Sequence, residues 1–126
     1  MINKSEEVVI ISAIRTPIGT YKGSLKRVGS HKLGSIVINE LLKKCNFNKD
    51  EIDEVIFGQV LTAGSGQNPV RQAAVNAGIP ITKPAHIINQ VCGSGLRAVI
   101  SGYQSIKLGE AKNIISGGQE NMSIAP

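Results

Sequence analysis

Residues 86–103 read HIINQVCGSGLRAVISGY, and this stretch decides the predicted fold. Its first part, His86–Val91, is a mostly apolar run that is typical of a buried strand. The glycines on either side of Ser94 allow a sharp turn from that strand into a helix. Apolar side chains then recur at helical spacing, at Leu96, Val99, Ile100 and Tyr103. The stretch therefore predicts a strand, a tight turn and a long helix that ends at Gly109.

Further strands are predicted on both sides of this unit. The runs with strand character are Val8–Ile11, Val55–Phe57 and Asn113–Ser116. The first run is continuous and β-branched, which predicts a strand that is covered on both faces.

Two more helices lie between the predicted strands. One starts at Ser30, its predicted N-cap, and carries an apolar stripe that reaches Cys45, which predicts a packed thiol there. Asn68 and Pro69 predict the cap and first residue of the other helix, which Gly78 ends. Because strands and helices alternate along the chain, the sequence favours an α/β fold with a parallel sheet.

The composition is that of one globular domain in a reducing compartment. The chain has 126 residues, of which 41% are hydrophobic, and this is enough for one core. Its cysteines, Cys45 and Cys92, lie 47 positions apart, so neither a disulfide framework nor a zinc site is predicted. The apolar run at 8–13 is far shorter than the roughly 20 residues of a membrane helix and is not preceded by a basic region. We therefore expect a cytoplasmic protein with no metal, no signal peptide and no membrane partner.

The net charge of +5 comes entirely from the first 50 residues, which hold 9 of the 14 lysines and arginines. Only 3% of the residues are aromatic, so the stacking surface that nucleic-acid-binding proteins use is missing and no nucleic acid is expected as a partner. The basic loop, residues 19–29, is either a solvated surface or a surface that attracts a phosphorylated ligand.

Cys92 is the candidate catalytic residue. It lies between the predicted strand and the predicted helix, where backbone N–H groups and the helix dipole favour a thiolate and can bind a developing oxyanion. Two other interpretations stay open, a buried structural cysteine and a phosphate-binding turn. The second arises because residues 93–98 formally match the G-x-G-x-x-G/A dinucleotide fingerprint. The match is weak, because the fingerprint normally opens the first strand–helix unit and not the third, and because the first acid after the next strand, Glu120, comes 27 residues beyond Gly93.

A cysteine nucleophile needs a base, and the chain offers only His31 and His86. His86 stands six residues before Cys92 on the predicted strand, roughly 20 Å away at ~3.3 Å per residue, and cannot reach it. His31 opens the first helix at the same edge of the sheet, where a surface role is the competing interpretation. The sequence therefore predicts that the general acid or base lies outside these 126 residues.

Four segments resemble the thiolase family in its amino-terminal part. They are residues 14–19 (IRTPIG), 66–74 (GQNPVRQAA), 89–96 (NQVCGSGL) and 117–123 (GGQENMS). The resemblance covers essentially the whole chain, and the segment around Cys92 is highly specific to the family. Within the family, the chain resembles the amino-terminal part of the short-chain biosynthetic acetyl-CoA acetyltransferases.

The resemblance implies that Cys92 accepts the acyl group as a thioester, with its backbone N–H in an oxyanion hole. The implied reaction is the Claisen condensation of two acetyl-CoA molecules to acetoacetyl-CoA, or thiolysis in reverse. Coenzyme A is then a substrate and product, no further cofactor is expected, and the residues that bind it are not assigned.

The resemblance also implies what this chain lacks. Family members are much longer and consist of two similar α/β halves, and residues 1–126 correspond to most of the amino-terminal half without its last strand. The family's histidine in a Gly-His-Pro motif, its second cysteine, the CoA-binding loop region and the carboxyl-terminal half are absent from the sequence. We expect the isolated chain to be inactive and the full-length parent to be a homo-oligomer.

Two rival hypotheses remain at this point. The chain could be a non-catalytic or complementing half-subunit that docks on a separate partner chain, or it could be a nucleotide-binding domain. The length of the parent reading frame separates the first rival from an enzyme fragment, and binding of a nicotinamide nucleotide would support the second.

Overall fold

A computed structural model describes residues 6–126. Three helices and three strands make up the fold: α1 (Ser30–Cys45), β1 (Glu54–Gly58), α2 (Pro69–Asn76), β2 (Ala85–Ile88), α3 (Ser94–Lys107) and β3 (Ile114–Gly118). A short 3-10 turn, Lys49–Glu51, leads into β1. The strands pair in parallel in the order β2-β1-β3, which confirms the predicted α/β class.

The central strand β1 separates two packed layers. Val55 and Phe57 join a buried cluster with Ile38 of α1 and Ala73 of α2, so these two helices cover one face of the sheet. Gly58, on the opposite face, lies against the start of α3. The alternation of side chains along a strand thus gives a helix layer on each face.

The predicted start and stop of α2 are confirmed. The Asn68 side chain accepts the Arg71 N–H at 3.0 Å, and Pro69 is the first helical residue. Gly78, just after the helix, has a φ of +83°, which is the left-handed geometry expected of a terminating glycine. In α1 the N-cap is Gly29, without a side-chain cap, and the predicted cap Ser30 is instead the first helical residue and is buried.

The predicted first strand is wrong. Residues 6–20 have no regular secondary structure, and Val9, Ile10 and Ile11 are 61–78% exposed. A cavity of about 830 Å³ is lined by residues 7–16 on one side and by β3 on another, and no backbone hydrogen bond among the described residues joins this segment to the sheet. Strand propensity alone does not make a strand, because the backbone groups need a hydrogen-bonded neighbour.

The apolar side chains that recur along α3 do not form its buried face. Leu96 and Tyr103 are 69% and 50% exposed, whereas Ser94, Ala98 and Gly102 are buried. The small residues are spaced by four positions, so they form one stripe along which the helix can approach the sheet closely. The larger apolar residues Val99, Ile100 and Tyr103 line the cavity.

Asp53 joins the turn before β1 to the turn before β3. Its carboxylate accepts the N–H groups of Lys112 at 2.7 Å and Asn113 at 3.0 Å. These two hydrogen bonds, first that from Lys112, lower the pKa of Asp53 below its ordinary value. Lys83 Nζ lies 3.9 Å from the same carboxylate.

We expect Asp53→Asn to lower the free energy of unfolding by about 0.5–1 kcal/mol at neutral pH, since the site is partly exposed. The folded pKa is depressed, so the stabilisation is complete above the unfolded pKa and is lost as pH falls through the folded value. Urea unfolding of both proteins at neutral pH and at about pH 3 measures this difference. A difference between the two proteins that grows on acidification would contradict the assignment.

No helix among residues 6–126 is both long and apolar enough to cross a membrane.

Candidate active site

The Cys92 elbow, residues 89–95, connects β2 to α3 at the carboxyl edge of the sheet. Strand β2 ends at Ile88, three residues earlier than predicted, so Cys92 follows a turn and not the strand itself. Val91 lies in the left-handed region with a φ of +50°. A β-branched residue rarely adopts this backbone conformation, so the elbow is a constrained turn.

Hydrogen bonds close this turn from inside. The Asn89 side chain accepts the Val91 N–H at 3.1 Å. The Ser94 hydroxyl accepts the Gln90 N–H at 2.8 Å and donates to the Val91 carbonyl at 2.6 Å. The Gly93 N–H donates to the Gln90 carbonyl at 3.0 Å. Four contacts over six residues therefore fix the backbone on both sides of Cys92.

Cys92 is exposed and stands two residues before the first residue of α3. No hydrogen bond within residues 6–126 uses its backbone N–H. No side chain caps the start of α3, so the positive end of this helix is not neutralised by a capping group. A thiol and a free N–H on one residue at a helix start are the two groups that acyl transfer needs, a nucleophile and an oxyanion donor.

Gly58 sets the distance between the elbow and the sheet. A Cβ at this position would lie 2.4 Å from the Ser94 carbonyl carbon and 2.6 Å from the Gly95 nitrogen. Both are backbone atoms, so relief would require the start of α3 to move.

We expect Gly58→Ala to lower the free energy of unfolding by about 1–3 kcal/mol, because it overpacks this junction. Gly117→Ala is the matched control, since a Cβ there would meet only the Phe57 ring at 3.5 Å, an ordinary contact. Urea unfolding of both variants measures the effect. Equal stability of the two variants would show that α3 does not lie this close to β1.

Two buried glutamines extend β1 and β3 at the same edge of the sheet. The Gln119 side-chain amide donates to Gln59 Oε1 at 2.8 Å, and Gln59 donates to the Leu61 carbonyl at 3.0 Å. Gln119 Oε1 is buried without a partner among the described residues and packs where a Cβ of Gly34 would lie. The carboxyl ends of the strands thus carry a polar layer beside the elbow.

The segment that follows β3 anchors the surrounding loops. The Glu120 carboxylate accepts the Val60 N–H at 2.7 Å. The Asn121 amide donates to the carbonyls of Leu25 at 3.1 Å and Val28 at 2.7 Å. Sequence reasoning did not assign these roles. The signal for them in the sequence is the polar run 119–121 directly after a strand. The partners of Glu120 and Asn121 lie 60 to 96 positions away, so the sequence does not identify them.

The two histidines are not joined to Cys92. His86 lies on β2 and its Nδ1 is 2.8 Å from the Glu54 carboxylate, on the strand ladder before the carboxyl edge. The His31 ring lies against Gly29 at the start of α1. No hydrogen bond within residues 6–126 links either ring to the cysteine.

Cys45 differs from Cys92 in its surroundings. It is half-buried on α1, its Sγ donates to the Leu41 carbonyl at 3.1 Å, and it lines the cavity. The two thiols therefore differ in exposure and in hydrogen bonding.

The structure does not favour the dinucleotide fingerprint. In that motif the first glycine follows its strand directly, whereas Gly93 follows Ile88 by five residues through the constrained turn. Within residues 6–126 no group of three or more His, Cys, Asp or Glu side chains is placed to hold a metal ion.

The chain as a whole is similar to known proteins. Residues 8–126 match the family described as "Thiolase, N-terminal domain". Proteins named acetyl-CoA acetyltransferase are similar: that of Syntrophomonas wolfei is 55% identical over 122 residues, covering 97% of this chain and 31% of the relative. That of Pseudomonas aeruginosa is 53% identical over 121 residues, covering 96% and 31%.

The rat protein named "Acetyl-CoA acetyltransferase, cytosolic" is 53% identical over 122 residues, with 97% of this chain and 31% of the relative covered. The chain thus spans about 31% of the length of these relatives. Because the family match covers nearly all of the sequence, the chain belongs to the thiolase family.

Proposed function

We propose that this chain provides the nucleophile segment of an acetyl-CoA acetyltransferase, with Cys92 as the residue that carries the acyl group. The observation that carries the proposal is the elbow itself: an exposed thiol and an unused backbone N–H on one residue, at the start of a helix, in a chain of the thiolase family. Relatives with the name acetyl-CoA acetyltransferase support the substrate class.

In the first half-reaction the Cys92 thiolate attacks the carbonyl carbon of an acyl-CoA thioester. The new bond from carbon to Cys92 Sγ forms, and the carbonyl oxygen becomes an oxyanion that the Cys92 N–H can stabilise. The bond from carbon to the CoA sulfur then breaks, and CoA leaves as a thiolate that takes up a proton. The product is an acyl thioester on Cys92.

In the second half-reaction the carbanion of an acetyl-CoA attacks this thioester. A carbon–carbon bond forms, the bond to Cys92 Sγ breaks, and the thiolate is restored with release of acetoacetyl-CoA. In the thiolytic direction Cys92 Sγ instead attacks the keto carbonyl carbon of acetoacetyl-CoA, the carbon–carbon bond breaks, and the acetyl-CoA carbanion takes up a proton and leaves. A CoA thiolate then attacks the acetyl thioester on Cys92, the bond to Sγ breaks, and a second acetyl-CoA is released with the thiolate restored. No metal or additional cofactor takes part in either step as proposed.

Two groups of the proposed mechanism are assigned to polypeptide outside residues 1–126. A base must accept the Cys92 proton, and a second acid–base group must move the substrate proton. The chain contains no Gly-His-Pro sequence and no cysteine besides Cys45 and Cys92. We assign both groups, and the main CoA contacts, to the remaining length of a relative-sized protein, which we propose to be a cytoplasmic homo-oligomer.

A chimera tests the proposal directly. In it, this chain replaces the matching segment of the Pseudomonas aeruginosa relative, with which it shares 53% identity. We expect the purified chimera to cleave acetoacetyl-CoA in the presence of CoA, at a rate within about tenfold of the parent. A chimera that folds like the parent by circular dichroism and lacks this activity would contradict the proposal.

The complementing-half hypothesis gives a different result in the same system. If the natural arrangement uses two chains, the 126-residue chain mixed with the remaining part of the relative as a separate polypeptide should recover activity. Activity of the covalent chimera alone, with none from the mixture, favours a single-chain enzyme.

A further inference from the structure

Val91 adopts a conformation that its own side chain disfavours. Its φ of +50° places a β-branched residue in the left-handed region, which only four non-glycine residues within 6–126 enter. The surrounding structure must therefore hold it there, and such held positions cluster at functional sites. Cys92 is the next residue, and its N–H shares one planar peptide unit with the Val91 carbonyl, so the direction of that N–H follows from the conformation of Val91.

Two side chains bond the backbone of Val91: Asn89 accepts its N–H, and Ser94 donates to its carbonyl, the group that shares a peptide plane with the Cys92 N–H. The Ser94 hydroxyl accepts from the Gln90 N–H at 2.8 Å and donates to the Val91 carbonyl at 2.6 Å, so it bridges the two residues that precede Cys92. The residue is 4% exposed, and Gly58 lies directly beneath it. A buried hydroxyl with both bonds satisfied has one orientation available, which makes it a rigid support.

We propose that Ser94 is a positioning residue for acyl transfer. It keeps Val91 in the left-handed region and holds the Val91–Cys92 peptide plane, which aligns the Cys92 N–H for the oxyanion that forms when the Cys92 thiol attacks. The inference rests on the proposed function of Cys92 and adds the device that preorganises it. Loss of this alignment should slow attack on a carbonyl but not alkylation of the thiol. Attack on a carbonyl needs both the thiolate and the oxyanion donor, whereas alkylation of the thiol needs only the thiolate.

Two probes separate these requirements on the 126-residue chain, in a Cys45→Ser background that leaves one thiol. With p-nitrophenyl acetate, Cys92 Sγ forms a bond to the acetyl carbon, the ester bond breaks, p-nitrophenolate leaves, and the thiol proton passes to the buffer. With iodoacetamide, Sγ displaces iodide and no oxyanion forms. The ratio of the two rate constants measures the alignment, and Ser101→Ala, on the same helix, is the matched control.

We expect Ser94→Ala to lower the acylation rate constant about tenfold or more and the alkylation rate constant less than about twofold. Ser101→Ala should change neither. A purely structural role would move both rate constants together, since a loosened fold alters access equally for the two probes. An unchanged ratio in Ser94→Ala would overturn the proposal.

Val91→Gly provides the rescue, because glycine adopts a positive φ without the cost that valine bears. Adding it to Ser94→Ala should restore most of the lost ratio, and also the fold if Ser94→Ala alone is unfolded by circular dichroism. A double variant that folds and keeps the low ratio would contradict the proposal.

Hydrogen exchange tests the contact between the Ser94 hydroxyl and the Gln90 N–H without a reaction at Cys92. The Gln90 amide should exchange about tenfold faster in Ser94→Ala. If exchange accelerates while the ratio stays constant, the contact is structural only and the proposal fails. The ratio of acylation to alkylation is also measured for N-acetylcysteine, a free thiol without a fold. If the Cys45→Ser chain has the same ratio as N-acetylcysteine, the alignment does not exist in this chain. The chimera tests the thiolase function separately.

Discussion

Cys92→Ala in the chimera should reduce thiolysis of acetoacetyl-CoA by about 10⁴-fold or more. Removing the nucleophile of a covalent mechanism removes the route through the acyl thioester altogether, and comparable deletions elsewhere cost 10⁴–10⁶-fold. Initial rates from the absorbance of acetoacetyl-CoA measure the loss. The thermal unfolding midpoint should change little, because the Cys92 side chain is exposed.

Cys45→Ala in the same chimera is the control. Cys45 is half-buried on α1 and its thiol is bonded to the Leu41 carbonyl, so the variant should keep its rate within about twofold and lose some stability. A loss of activity confined to Cys45→Ala would show that the nucleophile has been assigned to the wrong cysteine.

The isolated 126-residue chain should show no measurable turnover of acetoacetyl-CoA. Each acid–base group that the proposal places outside this chain contributes typically 10²–10⁴-fold, so the absence of both leaves a rate below detection. The test is the same assay on the purified chain at high protein concentration. Its control is the chimera, measured with the same substrate preparation.

CoA-dependent turnover by the isolated chain would contradict this expectation if it persists through further purification and disappears in Cys92→Ala. That result would mean that a residue within 1–126, with His31 as the first candidate at the carboxyl edge, acts as the base.

Most of the fold follows from local pattern. The spacing of apolar residues and the caps predict α1, α2 and α3, and the short β-branched runs predict the three strands that pair. The placement of Cys92 at a strand-to-helix junction follows from the glycines beside it. These features depend on residues close in sequence, which is why they can be read without a structure.

The sequence predictions that were wrong have one physical cause: each concerns a feature that depends on contacts between distant segments. Residues 8–11 have strand propensity, but whether they form a strand depends on a neighbour that pattern does not specify. In α3 the hydrophobic stripe suggests the packed face, yet close approach to Gly58 selects the face of small residues instead.

The finer geometry of the site was not predictable for the same reason. Because of the left-handed Val91 and its bridge to Ser94, β2 ends three residues before the predicted position. A valine gives no sign in the sequence that its φ will be positive. The pairing of Gln59 with Gln119 joins residues 60 positions apart. Only the assembled sheet brings them to one edge.

The most direct test of the account is to find the acylated residue. The chimera is mixed with acetoacetyl-CoA without added CoA, quenched in acid, digested, and mapped by mass spectrometry, with hydroxylamine treatment to identify thioesters. We predict a hydroxylamine-sensitive acyl group on the peptide that contains Cys92 and none on the peptide that contains Cys45. An acyl group on any other residue, or an active chimera in which Cys92 stays unmodified, would contradict the assignment of Cys92 as the acyl acceptor.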